Sequence, residues 1–253
     1  DQAGAKVTVG LQHRAMKVVQ ELRRVVQSGE IGEVREVRGR PTIGPRGGSF
    51  LFTVLGTHVL DLMRYVAGDP AWAFGRVTTR EGREVNADDA READEGYGLL
   101  AGDAVGSVFG FANGVTGFCD SYFAPAVPEG SMTVEVWGTE GIVAMRSTAN
   151  GRGLFRGQAS EGGFVQDLRR VRVPGWDDDA AGEKALDLGA LNHELALDLI
   201  AAIEGNRQPI ASGADGRWAM EMIFGVHESH LTGGRVTLPG AQRQNPYDVR
   251  RRR

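Results

Sequence analysis

Residues 104–122 read AVGSVFGFANGVTGFCDSY and contain two runs of β-favouring residues on either side of Asn113-Gly114. An Asn-Gly pair between two such runs is the strongest short-range signal for an antiparallel hairpin. The same alternation of short β runs and turns extends over residues 71–172. It predicts strands at residues 72–79, 104–111, 116–122, 132–137, 141–145 and 164–173. Because no helix interrupts this series, the sheet is expected to be mostly antiparallel.

Helical patterns flank this β-rich region on both sides. Residues 14–28 and 56–66 place apolar side chains at the i, i+3, i+4 and i+7 spacing of one buried helix face. Two further helices are predicted at residues 189–204 and 214–231, and the first of them has an apolar ridge that we expect to be buried. That ridge consists of Leu191, Leu195, Leu199 and Ile203. Short β runs at residues 34–42 and 236–238 complete the pattern.

Together these patterns predict an α+β fold, with a large, mostly antiparallel sheet and helices on one of its faces. The other face is either solvated or used to pair with a second copy of the chain. Residues 1–12 read DQAGAKVTVGLQ, which is typical of a helix end, a glycine turn and a short strand through Val7, Val9 and Leu11. A domain seldom begins with the last strand of a βα repeat, so we expect sequence upstream of Asp1 to be missing.

The composition of the chain argues against several classes of function. The 253 residues carry a net charge of −4, which gives no electrostatic basis for binding nucleic acid. No apolar run approaches the roughly 20 residues that span a bilayer, and no basic and then apolar leader is visible. We therefore expect a cytoplasmic protein without a membrane partner, with an export signal upstream of Asp1 as the alternative. The single cysteine, Cys119, excludes an internal disulfide and a cysteine-based zinc site.

The segment Gly56-Thr57-His58-Val59-Leu60-Asp61 is the most informative one for chemistry. Gly56 allows a sharp entry into the following helix, which places His58 in the first helical turn. The positive end of the helix dipole disfavours an imidazolium there and keeps the ring neutral near pH 7. A neutral ring can exchange a proton with a substrate hydroxyl, and Asp61 could orient it from the same side of the helix. The alternative is structural: His58 caps the helix, and Asp61 pairs with Arg64 or the backbone.

Other polar clusters have simpler interpretations. His227 and His230 lie three residues apart on a predicted helix, but no third ligand is evident, so we interpret them as residues of a helix surface. Gly151-x-Gly153 lies among β hairpins and opens no helix, which indicates a turn and not a nucleotide-binding loop. The arginines at 250–253 are typical of a solvated chain end. No metal site is predicted.

Several different short motifs occur along the chain in a defined order. They are Val9–Arg14, Ser28–Val34, Gly47-Gly48, Gly56–Asp61, Val136–Gly141, Ile203–Pro209 and Ser229–Leu238. Each motif alone is weak, but in this order and spacing they resemble the C-terminal domain of the glucose–fructose oxidoreductase, inositol dehydrogenase and rhizopine catabolism family (Gfo/Idh/MocA). The resemblance runs through nearly the whole chain.

The resemblance implies a two-domain enzyme in which a Rossmann domain binds NAD or NADP and this chain supplies the pocket for a small-molecule substrate. Residues 1–13 would then be a remnant of the nucleotide-binding domain, and residues 14–253 the substrate-binding and oligomerisation domain. Hydride would pass between the nicotinamide and a hydroxyl-bearing carbon of a sugar, a cyclitol or a similar substrate. The resemblance also implies a homo-oligomer formed through the open sheet face.

Particular residues take roles by the same resemblance. His58 matches the catalytic histidine, and Arg14 matches a basic residue close to both cofactor and substrate. Gln12 is assigned to the cofactor. Asp61, Asp120 and His193 are assigned to the substrate pocket, although Asp120 and His193 have an equally good interpretation as polar residues at strand and helix ends.

The chain departs from the family pattern in three places. No Gly-x-Gly-x-x-Gly follows a strand, so the dinucleotide fingerprint is absent from the 253 residues. The family's catalytic lysine has no counterpart, because none of Lys6, Lys17 and Lys184 precedes a proline. Val54 stands where many members carry an aspartate, four residues before the histidine. By itself the chain should not catalyse hydride transfer, and a ligand-sensing or regulatory member of the same fold is the alternative.

Overall fold

The computed structural model describes residues 4–41, 44–126, 132–148, 151–158, 168–175, 188–241 and 243–251. Its α-helices are α1 (Lys17–Gln27), α2 (Gly48–Val54), α3 (Gly56–Ala67), α4 (Leu188–Glu204), α5 (Gly213–Thr232) and α6 (Pro246–Arg251). Its first strands are β1 (Val34–Arg40), β2 (Pro70–Thr78), β3 (Arg91–Glu92), β4 (Leu99–Leu100), β5 (Ala104–Phe111) and β6 (Thr116–Tyr122). The later strands are β7 (Met132–Gly138), β8 (Gly141–Thr148), β9 (Gly151–Gln158), β10 (Arg169–Val171) and β11 (Val236–Thr237).

Nine of these strands form one sheet, in the order β10-β9-β8-β7-β1-β6-β5-β2-β11. All neighbours in this sheet are antiparallel except β1 and β6, which run parallel. Strand β1 therefore lies between β6 and β7, two strands that come later in the chain. The predicted α+β fold with a large, mostly antiparallel sheet is confirmed.

Helices α1, α2, α3 and α5 pack against one face of this sheet. Alternate strand residues such as Val37, Phe109 and Val136 are buried beneath them, as the two-residue period of a strand requires. Gly39 of β1 lies directly under α3, and a Cβ atom there would come within 2.5 Å of Val59 and Met63. The close approach of α3 to β1 therefore depends on a glycine.

The opposite sheet face, which we call the open face, is not covered by a helix of the described chain. Three of its aromatic side chains are exposed, namely Phe74, Phe118 and Tyr122. The guanidinium of Arg38 lies 5.6 Å from the ring centroid of Phe118 and 5.4 Å from that of Trp137. The Arg38 side chain covers part of these aromatic rings, and the rest of the open face is rich in apolar surface.

The start of the chain differs from the prediction. The helix expected from residue 14 is a 3-10 turn at Gln12–Ala15, which we call the N-terminal turn, followed by an extended Met16 and then α1. The strand expected through Val7, Val9 and Leu11 is reduced to one bridge between Thr8 and Ser212. Val9 and Leu11 instead pack in a small cluster with Leu195 and Ala211 of the C-terminal half, and Val7 is exposed. The assignment of residues 1–13 to a separate domain stays a prediction.

Several elements were not predicted, namely α2, β3, β4, β9 and α6. Helix α2 was missed because its short apolar run gives too few turns to show a helical period. Strand β9 contains the Gly151-x-Gly153 segment that we interpreted as a turn, and its Gly153 is packed closely beneath the Arg170 side chain of β10. Of the strand predicted at 164–173, residues 169–171 are found as β10, and residues 164–167 lie outside the described residues.

The described helices include no single one that is long and apolar enough to cross a membrane. Only α2 and α3 taken together pass a test of length and composition, and they are bent by 55° at their junction.

Candidate functional site

The junction of α2 and α3 places His58 in the first turn of α3, as predicted. Leu55 caps α3 and its carbonyl accepts the His58 backbone N–H at 3.2 Å. The Thr57 hydroxyl donates to the carbonyl of Val54 at 2.8 Å, which ties the end of α2 to the start of α3. The bend therefore sets the direction in which His58 leaves the helix.

Helix α2 is held against the sheet by its first residue. The Gly48 backbone N–H donates to the Asp103 carbonyl at 2.9 Å. A Cβ atom on Gly48 would lie 2.4 Å from that carbonyl oxygen and 2.7 Å from the Ser121 carbonyl oxygen. Because both neighbours are backbone atoms, only glycine fits here, and its position determines where the α2–α3 junction lies.

The His58 side chain is partly buried, and its ring is neutral at physiological pH. Burial lowers its pKa from 6.5 to about 4. Its Nδ1 atom is buried, and no hydrogen-bond partner for it is found in the described chain. The neutral ring was expected from the helix dipole, whereas the structure gives burial as the cause. A neutral imidazole with an unused ring nitrogen can accept a proton from a ligand hydroxyl.

His13 of the N-terminal turn lies against His58. The two ring centroids are 4.5 Å apart and the planes meet at 61°, an edge-to-face arrangement. His13 is itself buried. The contact therefore restricts the orientation of the His58 ring from a part of the chain far away in sequence.

Arg14 joins the same turn to α3 through a buried ion pair with Asp61. Its Nε donates to Asp61 Oδ2 at 2.7 Å and its Nη2 to Asp61 Oδ1 at 2.6 Å. Its Nη1 donates to the Ile210 carbonyl at 3.0 Å, and Asp215 Oδ1 lies 3.1 Å from Nη2. This bidentate geometry is the strong form of an arginine–carboxylate pair. The guanidinium is thus engaged on several sides by the protein itself.

The ion pair extends into a network at the start of α5. Arg64 Nη1 lies 2.6 Å from Asp215 Oδ1, and Arg64 Nε lies 2.7 Å from Asp69 Oδ1. Asp215 also accepts from the backbone and hydroxyl of Ser212, the capping residue of α5. The network therefore links the N-terminal turn, α3 and α5 around the base of the candidate site.

The structure corrects the role expected of Asp61 toward His58. Both Asp61 oxygens accept hydrogen bonds from Arg14, and no hydrogen bond between Asp61 and His58 is found in the described chain. Burial raises the pKa of Asp61 to about 6, and the hydrogen bonds and charge of Arg14 keep it from rising further. The carboxylate is therefore charged at neutral pH and holds Arg14. The alternative pairing of Asp61 with Arg64 is also not found, because Arg64 binds Asp69 and Asp215.

Two other buried polar atoms lie on the segments that carry His13 and His58. They are Oε1 of Gln12, in the N-terminal turn, and Oγ1 of Thr53, at the end of α2; the described residues supply no hydrogen-bond partner to either. Buried polar atoms are ordinarily paired, so a missing partner deserves a physical explanation. A ligand bearing hydroxyl or amide groups would supply such partners. The assignment of Gln12 and Arg14 to a cofactor stays a prediction.

Asp120 is not brought to His58. Strand residues alternate between faces, and Asp120 projects from β6 onto the open face while its neighbours Cys119 and Ser121 are buried on the helix side. There it pairs with Arg40, whose Nε and Nη2 each lie 3.0 Å from its oxygens. Its expected place in a pocket with His58 is therefore wrong for this chain, because the sheet separates the two side chains.

His193 lies on α4, which packs on the N-terminal turn through Leu195, and its side chain is exposed on the opposite side of that helix. The alternative interpretation placed His193 at a helix end, whereas it is the sixth residue of α4. A role for His193 in binding substrate stays a prediction.

The pair His227 and His230 was assigned to a helix surface, and this is wrong. His227 is fully enclosed, with its Nδ1 atom 3.1 Å from the hydroxyl of Tyr247 in α6. His230 accepts the Val77 N–H at 3.2 Å and its Nε2 lies 2.8 Å from the Val85 carbonyl. Residues 246–251 form α6, which packs on α5, and the sequence pattern of α5 alone did not show this. Of the arginines predicted to form a solvated chain end, Arg250 binds Glu228 from α6, and residues 252–253 lie outside the described residues.

Sequence reasoning missed His13 and Thr53. His13 stands beside Arg14 in a segment that we had assigned to a domain junction, so its position in the motif was the available signal. Thr53 gave no signal, because the burial of its unpartnered Oγ1 atom depends on the tertiary structure. In the described residues no group of three or more His, Cys, Asp or Glu side chains is placed to hold a metal ion.

Comparison with known proteins defines the class. A family model described as the GFO/IDH/MocA C-terminal domain matches residues 19–144. An oxidoreductase domain protein from Kribbella flavida is 22% identical with a TM-score of 0.70, and the match covers 94% of this chain and 67% of that one. Levoglucosan dehydrogenase in complex with NADH is 21% identical with a TM-score of 0.69, with the same coverage. An NAD binding oxidoreductase from Klebsiella pneumoniae is 17% identical with a TM-score of 0.71, covering 94% and 67%.

No curated protein sequence matches the chain. The chain spans about two thirds of the length of the oxidoreductase structures that it matches. Its fold is the α+β sheet domain of those oxidoreductases. Residues 19–144 of the chain belong to the GFO/IDH/MocA C-terminal domain family.

Proposed function

We propose that the chain is the substrate-binding part of an NAD(P)-dependent oxidoreductase that acts on a hydroxylated small molecule such as a sugar or cyclitol. The observation that carries this proposal is the neutral, partly buried His58 at the start of α3, whose buried Nδ1 atom has no partner in the described chain. The dinucleotide-binding part lies outside the 253 residues.

The chemistry assigned to this chain is the movement of a proton. When an alcohol carbon loses hydride to become a carbonyl carbon, the hydroxyl proton must leave as well, and His58 accepts it. A ring with a pKa near 4 is in the free-base form at neutral pH and can do so. In the reverse direction the same nitrogen returns the proton to the oxygen. The bound nicotinamide supplies the hydride acceptor or donor.

Other buried groups fit a ligand with several hydroxyl or amide groups. Gln12 Oε1 can accept a hydrogen bond from such a group, and Thr53 Oγ1 can donate or accept one. Arg14 is already balanced by Asp61 and Asp215, so we assign it the role of holding the N-terminal turn in place. These features support a role for the N-terminal turn and the end of α2 in binding a ligand. NAD and NADP are both compatible with them as the cofactor.

The test uses the complete protein with NAD(H) or NADP(H) and a panel of neutral sugars and cyclitols. Replacing His58 by Gln is expected to lower turnover roughly 100- to 10,000-fold while cofactor affinity stays within a factor of about two. The control is Glu33→Gln, a surface change in an exposed pair with Arg35, which should leave turnover as it is. Unchanged turnover in the His58 variant would contradict the assignment.

A ligand-sensing or regulatory role is the second candidate, and Val54 is the observation that favours it. Many family members have an aspartate where this chain has valine, so His58 lacks that carboxylate. Such a protein would bind cofactor and sugar but release them unchanged. Calorimetry that detects both ligands, with no absorbance change at 340 nm over hours, would favour this second role.

We also propose that the open face pairs with a second copy of the chain. Phe74, Phe118 and Tyr122 are exposed there beside Arg38 and Arg40, a combination of aromatic and arginine side chains that is enriched at protein interfaces. Pairing would cover apolar surface that single molecules rarely leave exposed.

A further inference from the structure

The buried ring of His227 on α5 lies between α6 and α2. On the side of α6, its Nδ1 atom is 3.1 Å from the hydroxyl of Tyr247. On the side of α2, its ring meets the ring of Phe52 edge to face, with the centroids 6.2 Å apart and the planes at 87°. All three side chains are buried. His227 therefore connects the C-terminal helix to α2 by direct contacts on both sides.

Phe52 continues this series of contacts to the bend between α2 and α3. A Cβ atom on Gly56, the first residue of α3, would lie 3.7 Å from the Cγ and Cδ2 atoms of the Phe52 ring, which is ordinary van der Waals contact. Gly56 stands two residues before His58. Because a packed interior has little empty space to absorb a movement, a displaced Phe52 ring would displace the first turn of α3 as well.

Helix α6 is fixed at both of its ends. Asn245, just before the helix, donates from Nδ2 to the Leu99 carbonyl at 2.8 Å, and its Oδ1 atom accepts the Tyr247 backbone N–H at 3.0 Å. Near the other end, Arg250 Nη2 donates to Glu228 Oε1 of α5 at 2.7 Å. These contacts hold the Tyr247 hydroxyl at a defined place beside α5.

Packing alone does not explain a histidine at position 227. Its Nε2 atom is buried, and the described part of the chain offers this atom no hydrogen-bond partner. A phenylalanine would fill a similar space without burying an unpaired nitrogen, which costs stability. What the histidine adds is a directional hydrogen bond with Tyr247, and this bond fixes the plane of the ring that Phe52 meets.

We propose that His227, held by Tyr247, is a positioning residue for His58. The inference rests on the proposed function and adds to it a core residue that acts on the reaction through other residues. The series of contacts runs from Tyr247 through His227 and Phe52 to Gly56 and the first turn of α3. Without the hydrogen bond, the ring at 227 can turn and the bend takes more than one arrangement. His58 then spends less time in the orientation that accepts the substrate proton.

The first experiment measures steady-state kinetics of the complete protein with the sugar or cyclitol that the wild type turns over fastest. Tyr247→Phe removes one hydroxyl and keeps every ring. It should lower kcat about three- to tenfold and leave KM within a factor of about two, because it disturbs the orientation of His58 and not the binding of substrate. His227→Phe should have the same effect. Because both variants remove the same hydrogen bond, the double variant should lose no more than either single one.

Ser107→Ala is the matched control for these kinetics. It also removes a buried hydroxyl, one that donates to the Cys119 carbonyl at 2.6 Å between β5 and β6. It should leave kcat within a factor of about two. A kcat loss as large in Ser107→Ala as in Tyr247→Phe, a wild-type kcat in Tyr247→Phe, or a double variant whose loss is the product of the two single losses would overturn the proposal.

The second experiment does not depend on turnover. The complete protein is labelled with ¹⁵N-histidine, and the ring signals of His58 are identified by their loss in His58→Gln. Tyr247→Phe should shift or broaden the His58 ring signals, because the ring takes more than one orientation, whereas Ser107→Ala should leave them in place. His58 signals at their wild-type positions and widths in Tyr247→Phe would overturn the proposal.

The two proposals fail in different ways. If Tyr247→Phe shifts the His58 signals but no sugar or cyclitol is turned over, the connection from Tyr247 to His58 stands and the enzymatic role fails. If turnover depends on His58 but neither kcat nor the His58 signals respond to Tyr247→Phe, the enzymatic role stands and the positioning role of His227 fails.

Discussion

Among single residues, the orientation and burial of His58 depend on neighbours from a distant part of the chain. His13 lies edge-on against its ring, and Arg14 in the same turn binds Asp61, which is on the same helix as His58. The N-terminal turn therefore holds the first turn of α3 in place, and we call these two contacts the clamp. Its His13 ring contributes to the burial that lowers the His58 pKa.

Replacing His13 tests this clamp. His13→Ala should admit water to the His58 ring and move the His58 pKa from about 4 toward 6.5, because burial is what lowers it. His13→Phe keeps an aromatic edge in place and should leave the His58 pKa low. The measurement is a ¹H–¹⁵N NMR titration of the His58 ring. A His58 pKa that is the same in the Ala variant and the wild type would refute the clamp.

The ion pair between Arg14 and Asp61 is expected to matter for stability. Asp61→Ala leaves Arg14 buried with only Asp215, and breaking a buried pair in this way should lower the free energy of unfolding by about 3 kcal/mol. Glu36→Ala, in an exposed pair with Arg38, should cost about 1 kcal/mol or less. Urea denaturation measures both. Equal losses would show that burial of the Arg14 pair has no energetic consequence.

At the scale of elements, the α2–α3 junction depends on a glycine that touches backbone. Gly48→Ala should cost about 1–3 kcal/mol, because the new methyl group would overlap the carbonyl oxygens of Asp103 and Ser121 and push α2 off the sheet. Gly106→Ala is the control, since a Cβ atom on this strand residue meets nothing within 4 Å. It should leave stability unchanged or slightly higher. The measurement is the denaturation midpoint of both variants, and a larger loss for Gly106→Ala would contradict the contact.

The elements also show how far sequence patterns reach. Strands β5 and β6 were predicted at the residues where they occur, because Asn113-Gly114 marks the hairpin and both strands alternate. The helices α3 and α5 were placed within a few residues of their observed bounds. Helix α2 and strand β9 were missed, since α2 has only seven residues and β9 is rich in glycine and arginine.

The candidate site was predicted only in part. His58 and its helical turn followed from Gly56 and the helix pattern that begins there. The partner of Asp61 did not, because ion pairs between distant segments leave no local signal. Asp120 was misplaced for a different reason: its face of the sheet depends on the register of β6, and sequence alone does not say which face the helices cover.

At the scale of the whole molecule, a buried histidine couples stability to pH. Burial, with His230 nearby, lowers the pKa of His227 from 6.5 to about 4. Between these values the unfolded chain binds the proton and the folded chain does not, so stability falls as pH falls from about 6.5 to 4. His227 accounts for up to about 3 kcal/mol of this change at roughly 1.4 kcal/mol per pH unit. Asp61, with its raised pKa, acts in the opposite direction below about pH 6.

Unfolding of wild type and His227→Phe across pH 4 to 7 measures this contribution. The variant should be less stable at pH 7, where it lacks the hydrogen bond with Tyr247, and should lose less stability on acidification. Parallel curves for the two proteins would show that His227 does not contribute to the pH dependence.

The oligomer proposed through the open face belongs to the same scale. Wild type should elute as an oligomer in size-exclusion chromatography with light scattering, and Phe118→Glu should elute as a monomer, because the new carboxylate would be buried in the interface. Tyr97→Glu, an exposed aromatic residue outside the large sheet, is the control and should remain oligomeric. A monomeric wild type would contradict the pairing.

The sequence by itself determined the α+β class, the β5–β6 hairpin, the helical turn that carries His58 and the resemblance to the family, because all of these depend on local period and on motif order. Only the tertiary structure decided that Arg14 binds Asp61, that His13 lies against His58 and that His227 is buried under α6. It also showed that Ile203, predicted to lie in the buried ridge of α4, is exposed. These features arise from contacts between distant segments. Such contacts depend on how the elements pack, and local sequence patterns do not record them.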